Sequence, residues 1–131
     1  MNQSIKNIIL VEDDSAFRCL IYNYLTSFGY SVVECDDGEK LLNQICTEGV
    51  AKFHADLIIT DFRIPKFNGL QFLRLTFGAK ERPPVILMTA FPSHEVSSEA
   101  SRWGASLVLS KPFVLEKLKQ AIDNIQNSMA L

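Results

Sequence analysis

The sequence lacks the features that mark several large classes of protein. Its Lys and Arg residues, 13 among 131, form no cluster on any one predicted helix, and the formal net charge is -2, so direct nucleic-acid binding is not expected. The first apolar run covers only residues 8–11, which is too short for a signal-peptide core or a membrane span. We therefore expect a cytoplasmic protein that does not associate with membranes.

Cysteine is also scarce. Cys19, Cys35 and Cys46 are odd in number and lack CxxC spacing, which argues against a disulfide framework and against a zinc site. The sequence has no Gly/Ser tract and no repeat that would mark a linker or a solenoid. These observations predict a single domain over residues 1–131, with no output domain.

Five short apolar runs recur along the chain, and most are unbroken rather than alternating. Unbroken runs are typical of parallel strands that are covered on both faces. The runs are IILV (8–11), SVVEC (31–35), LIIT (57–60), VILM (85–88) and LVL (107–109).

Helical patterns separate these runs. The clearest is an apolar stripe from Phe17 to Phe28, followed by Gly29 at the position of a left-handed helix cap. The other stripes are Leu41, Leu42, Ile45 and Cys46; Leu70, Leu73 and Phe77; Val96, Ala100 and Trp103; and Leu115, Leu118, Ile122 and Ile125. Phe17, Phe28 and Trp103 are expected in the core. The βα alternation predicts a doubly wound α/β fold, flavodoxin-like, with a five-stranded parallel sheet in the order 2-1-3-4-5 and five helices.

Polar residues follow four of the five predicted strands, at the edge where such sheets bind ligands. They are Glu12, Asp13 and Asp14 after the first strand, Asp61 after the third, Thr89 after the fourth, and Ser110 and Lys111 after the fifth. Carboxylates gathered there would repel each other unless a cation shared the site, and hard oxygen ligands suit Mg²⁺. Asp61 is therefore expected in an open metal-bearing cleft rather than buried.

This set of residues is suited to capturing a phosphoryl group. Asp61 could act as the nucleophile and form an acyl phosphate, with Mg²⁺ neutralising the incoming charge. Lys111 would pair with Asp61 or with the phosphoryl oxygens, and the Thr89 hydroxyl would donate a hydrogen bond to them. For Asp14, capping of the first helix is the favoured role.

The motifs together resemble the receiver domain of bacterial two-component response regulators. The matching stretches are ILVEDD (9–14), DLIITDFRIPKFNG (56–69), VILMTA (85–90) and GASLVLSKPF (104–113). The resemblance covers the chain from about the first strand to the fifth helix, and it implies the CheY-like form of the predicted fold.

The resemblance also implies a role for each site residue. Asp61 would be the phosphoacceptor, and Glu12 and Asp13 the acidic pair that binds Mg²⁺. Arg63 would provide its backbone carbonyl to the metal. Thr89 corresponds to the switch hydroxyl and Lys111 to the family's lysine, and the Lys111-Pro112 peptide bond would be cis.

Two further positions bear on how such a switch would behave. Where the family usually has Tyr or Phe, this chain has Val108, so no aromatic ring at this position can couple to Thr89. Arg63 and Phe91 would flank the path of water to the acyl phosphate. Two bulky side chains there predict slow self-dephosphorylation.

The leading hypothesis is a phosphorylation-controlled signalling switch that is not an enzyme beyond its own phosphorylation and dephosphorylation. A sensor histidine kinase or phosphotransfer protein would supply the phosphoryl group. A downstream protein would bind the face formed by the fourth helix, fifth strand and fifth helix, with the chain a monomer or a phosphorylation-dependent dimer.

One alternative is a haloacid dehalogenase-type phosphatase, which Arg63 disfavours because that class has a second Asp there. Another is a constitutive interaction module. FMN or dinucleotide binding is poorly supported, since no GxGxxG follows the first strand.

Overall fold

The computed structural model describes residues 4–129 and contains one main sheet flanked by five helices. In chain order the elements are β1 (Asn7–Val11), α1 (Ser15–Thr26), β2 (Ser31–Cys35), α2 (Gly38–Ile45), β3 (Cys46–Thr47), β4 (Val50–Ala51), β5 (Leu57–Asp61), α3 (Gly69–Thr76), β6 (Val85–Thr89), α4 (His94–Arg102), β7 (Leu107–Ser110) and α5 (Leu115–Met129). The main sheet is parallel, in the order β2-β1-β5-β6-β7. This confirms the predicted order 2-1-3-4-5, because β3 and β4 form a separate small hairpin.

The two faces of the sheet bury different apolar side chains. Along β1, Ile8 and Leu10 point to one face and Ile9 and Val11 to the other, as the two-residue period of a strand requires. The first face packs against α1 and α5, and the second against α2, α3 and α4. Every residue of β5 and β6 is buried, so these central strands match the expectation drawn from their unbroken apolar runs.

The edge strands depart from that expectation. Val33 in β2 is 41% exposed and Leu107 in β7 is 37% exposed. Each edge strand has a neighbour on one side only, so helices cover it less completely than they cover β5 and β6. Within residues 4–129, no helix combines the length and the apolar character needed to cross a membrane.

Side-chain caps fix where four helices begin, and three of these helices follow β1, β5 and β6. The Asp14 carboxylate accepts hydrogen bonds from the main-chain N–H groups of Ala16 and Phe17 at 3.0 and 3.1 Å, so its predicted capping role is confirmed. Asn68 forms a reciprocal capping box with Gln71 at the start of α3, and Ser93 caps α4. These caps set the points at which the loops after β1, β5 and β6 become helical.

Two predictions at helix ends were wrong. Cys46 does not extend the stripe of α2, because the helix ends at Ile45 and Cys46 begins β3. The chain reverses there through Glu48 and Gly49, both with positive φ, a pattern typical of a tight hairpin turn. Phe28 lies beyond the last residue of α1 and is 51% exposed instead of buried in the core.

Candidate functional site

The carboxyl ends of four strands meet at one edge of the main sheet. The parallel register places Val11 beside Thr60, Asp61 beside Met88, and Thr89 beside Ser110. The residues at or just beyond these strand ends are therefore neighbours in space. This register brings together the polar side chains that the sequence indicated.

Lys111 joins two of the acidic residues. Its ammonium lies 2.5 Å from Oε1 of Glu12 and also forms an ion pair with Oδ2 of Asp61. The Glu12 residue is 1% exposed and the Asp61 residue 6%, so the lysine lies between two carboxyl groups that are largely removed from water. Such buried groups require a partner of opposite charge, and Lys111 supplies it to both.

Burial shifts the pKa values of the ionisable side chains in this cluster. Burial raises the pKa of Glu12 to about 7, although the hydrogen bonds from Lys111 and from the Asp14 N–H oppose the rise. For Lys111, burial alone would lower the pKa, but the hydrogen bonds to Asp61 and Glu12 outweigh it and the pKa is raised. Lys111 is therefore a cation under physiological conditions, placed where negative charge gathers.

Asp61 is buried, which contradicts the expectation that it lies in an open cleft. It is the last residue of β5, and both of its carboxylate oxygens have partners. Oδ1 accepts a hydrogen bond from the Arg63 N–H at 3.0 Å, and Oδ2 faces Lys111. A charged group can remain at the end of a core strand because these partners replace its water.

The other predicted residues lie around this centre. Asp13 is exposed in the loop between Glu12 and Asp14. Thr89 is 2% exposed, and its hydroxyl oxygen accepts a hydrogen bond from the Phe91 N–H at 3.1 Å. The Thr89 carbonyl accepts a hydrogen bond from the Lys111 N–H at 2.7 Å, so the ends of β6 and β7 are tied together at the site.

Residues on β7 and beyond it complete this side of the site. The Lys111-Pro112 peptide bond is cis. Val108 is partly buried and packs with the cluster between the sheet and the α2, α3 and α4 helices. Its place in β7 is beside Leu87 of β6.

Sequence reasoning missed two side chains at the site. Phe17 of α1 lies beneath Lys111, with the ammonium 4.9 Å from its ring centroid. Arg18 donates a hydrogen bond from Nη1 to the Glu12 carbonyl at 2.8 Å. The sequence spacing between Asp14 and Arg18 could have indicated this contact. Arg18 follows the helix cap by four positions, so it lies about one helical turn from the loop that precedes α1.

The oxygen-rich composition of this site fits Mg²⁺. Among the described residues 4–129, no group of three or more His, Cys, Asp or Glu side chains is placed so that it could hold a metal ion by itself. Mg²⁺ does not require such a cage, since it is commonly held by one or two carboxylates with water and phosphate oxygens. Glu12 and Asp61 provide carboxylates at this edge, and the exposed Asp13 follows Glu12 in the chain.

Comparisons with known proteins agree with this geometry. The model of the response regulator receiver domain matches residues 8–123. The chain is 33% identical over 121 residues to the "Probable chemotaxis protein CheY" of Rhizobium etli, covering 90% of each chain. It is 30% identical to the regulatory protein AtoC of Escherichia coli over 88% of this chain but only 24% of AtoC.

Solved structures give the same result. The chemotaxis response regulator CheY4 of Vibrio cholerae superimposes with a TM-score of 0.80 at 25% identity, covering 93% of this chain and 99% of CheY4. A response regulator receiver domain protein from Clostridium thermocellum gives 0.77 at 25% identity, with 95% and 96% covered. The fold, the strand-end site and these matches lead to one conclusion: the chain belongs to the family of response regulator receiver domains.

Proposed function

We propose that this chain is a phosphorylation-activated switch whose phosphoacceptor is Asp61. The observation that carries the proposal is the position of Asp61 at the end of β5, with Lys111 on one carboxylate oxygen and the Arg63 N–H on the other. A carboxylate fixed in this way presents oxygen lone pairs at the ligand-binding edge of the sheet. Membership in the family implies a kinase or phosphotransfer protein upstream and an effector downstream.

The chemical step is the transfer of a phosphoryl group from a donor phosphohistidine. A carboxylate oxygen of Asp61 forms a bond to phosphorus while the phosphorus–nitrogen bond of the donor breaks, and the leaving imidazole keeps the electron pair and takes up a proton. The product is an acyl phosphate on Asp61. Lys111 compensates the added negative charge, and the hydroxyl of Thr89, the last residue of the neighbouring strand β6, would donate a hydrogen bond to a phosphoryl oxygen.

Four groups would hold Mg²⁺: the carboxylates of Glu12, Asp13 and Asp61 and the backbone carbonyl of Arg63. When bound, the cation would supply electrostatic neutralisation of the phosphoryl oxygens. Lys111 pairs with both Glu12 and Asp61, so it also compensates negative charge at this edge of the sheet.

The downstream partner is proposed to bind the face formed by α4, β7 and α5. β7 is an edge strand, and Leu107 on it is 37% exposed. Lys111 directly follows β7, and its main-chain N–H is bonded to Thr89. A change at Asp61 therefore has a short covalent and hydrogen-bonded route to this face.

The test is phosphorylation by a small donor. The protein is incubated with Mg²⁺ and acetyl phosphate, and its intact mass is recorded beside that of Asp61→Asn, which keeps the side-chain size and removes the carboxylate. Wild type gains one phosphoryl group and Asp61→Asn gains none. If wild type stays unlabelled where a reference receiver is labelled, the chain acts instead as a constitutive interaction module.

A further inference from the structure

The Arg18 side chain contacts the loop that carries the acidic residues at Glu12. Its guanidinium donates a hydrogen bond from Nη1 to the Glu12 carbonyl at 2.8 Å, whereas the bond from its main-chain N–H to the Asp14 carbonyl is the first backbone bond of α1. The side chain is 19% exposed, and its Nε lies 3.3 Å from Oε1 of Glu34 on β2. The guanidinium is thus anchored to the sheet edge on one side and to the loop on the other.

With this contact, each polar group of Glu12 has a partner. Its N–H donates to the Cys35 carbonyl at 3.0 Å, and its carboxylate oxygens face Lys111 and the Asp14 N–H. The remaining group is the carbonyl, which Arg18 occupies. Because the Arg18 side chain bonds this carbonyl, it fixes the plane of the peptide that joins Glu12 to Asp13.

We propose that Arg18 is a positioning residue for the divalent cation: it holds the Glu12–Asp14 loop so that the Asp13 carboxylate is directed at the site. The inference rests on the proposed function, since it concerns the same metal. Asp13 is exposed, and its direction therefore depends on the main chain before it, which the Arg18 side chain bonds at the Glu12 carbonyl.

Charge and positioning make opposite predictions for this residue. A guanidinium close to a cation site repels the cation, so removing it should tighten Mg²⁺ binding if charge were all that mattered. If Arg18 orients the loop, removing it should weaken Mg²⁺ binding despite the loss of a positive charge. The sign of the change therefore separates the two roles.

The experiment is a calorimetric titration of the unphosphorylated protein with MgCl₂. Arg18→Met keeps the length of the side chain and removes its hydrogen bonds, whereas Arg18→Lys keeps the charge but not the planar fork. We expect the dissociation constant to rise about tenfold for Arg18→Met, as is typical when an outer partner of a metal ligand is removed, and to rise less for Arg18→Lys. Arg102→Met, at an arginine whose side chain is 72% exposed on α4, should leave it unchanged.

Thermal unfolding in the presence of a chelator shows whether each variant is folded before titration. If Arg18→Met does not unfold cooperatively, the Mg²⁺ titration of Arg18→Lys decides between the charge role and the positioning role. Unchanged or tighter binding in the folded variants overturns the role of Arg18. Wild type tests the proposed function separately: if it neither binds Mg²⁺ nor accepts a phosphoryl group, the function fails, and this inference fails with it.

Discussion

The guanidinium of Arg63 lies over the ring of Phe91, with Cζ 4.7 Å from the ring centroid. Arg63 follows Asp61 by two residues and Phe91 follows Thr89 by two, so the pair connects the loops that leave β5 and β6. Phe91 is 63% exposed, which places this contact on the solvent side of the buried Asp61 and Thr89. The two side chains are therefore stacked at the outer rim of the proposed phosphorylation site.

The stacked pair should slow hydrolysis of an acyl phosphate on Asp61, because a water molecule has to approach from the rim. Replacing both side chains, Arg63→Ala with Phe91→Ala, should accelerate loss of the phosphoryl group several-fold. The decay is followed by intact mass after removal of the donor. Phe77→Ala, which removes another exposed ring on a distant helix end, is the matched control. A decay rate equal to that of wild type in the double variant would show that the rim does not control access of water.

Removing Lys111 should destabilise the metal-free protein strongly. Lys111→Met would leave Glu12 and Asp61 buried without a cation, at a cost on the order of 3 kcal/mol in the free energy of unfolding. The measurement is urea unfolding in the presence of a chelator. Lys40→Met breaks the exposed pair with Asp36 and should cost less than about 1 kcal/mol. Equal losses for the two variants would mean that the Lys111 bridge adds no more than a surface ion pair.

Val108 should contribute packing rather than chemistry. It is partly buried beside β6 in the cluster under α2, α3 and α4, so Val108→Ala should lower the free energy of unfolding by about 1 kcal/mol. The extent of labelling by acetyl phosphate should stay at the wild-type level, because the Asp61 carboxylate is held by Lys111 and the Arg63 N–H, which Val108→Ala leaves in place. Loss of labelling in a folded Val108→Ala protein would contradict this assignment.

The three thiols should differ in reactivity. Burial raises the pKa of Cys35 to about 11, with Asp36 and Asp37 adding to the rise, while Cys19 and Cys46 are exposed. A raised pKa means that almost no thiolate forms at pH 8, and the thiolate is the reactive species. When native protein is treated with iodoacetamide at pH 8, Cys19 and Cys46 should be alkylated and Cys35 should stay unmodified. Labelling of Cys35 at a similar rate would show that the β2 end opens readily.

The sheet order was predictable because the central strands are apolar on both faces. Runs such as LIIT and VILM can be buried only between two layers of helices, and the alternation of elements leaves few parallel arrangements. The site followed from the same reasoning, since the residues after each run necessarily gather at one edge. Exposure of the edge strands and of the end of α1 was less predictable, because it depends on how completely the surrounding helices and strands cover these residues.

Burial of Asp61 and the side-chain contacts of Arg18 depend on long-range packing that periodicity does not encode. Asp61 can be buried because Lys111, 50 positions further along the chain, folds back onto it. Arg18 contacts Glu34 on the neighbouring strand as well as its own loop. The hairpin of β3 and β4 was missed because the apolar stripe of α2 continues to Cys46, while the turn at Glu48 and Gly49 ends the helix earlier.

The central claim is that the phosphoryl group is carried by Asp61, and borohydride trapping tests it most directly. Sodium borohydride reduces an aspartyl phosphate to homoserine, so peptide mass spectrometry of protein labelled with acetyl phosphate locates the acceptor. We expect homoserine at position 61 and an unmodified Asp13, the exposed carboxylate in the loop after β1. Homoserine at position 13 or elsewhere, with Asp61 unmodified, would contradict it.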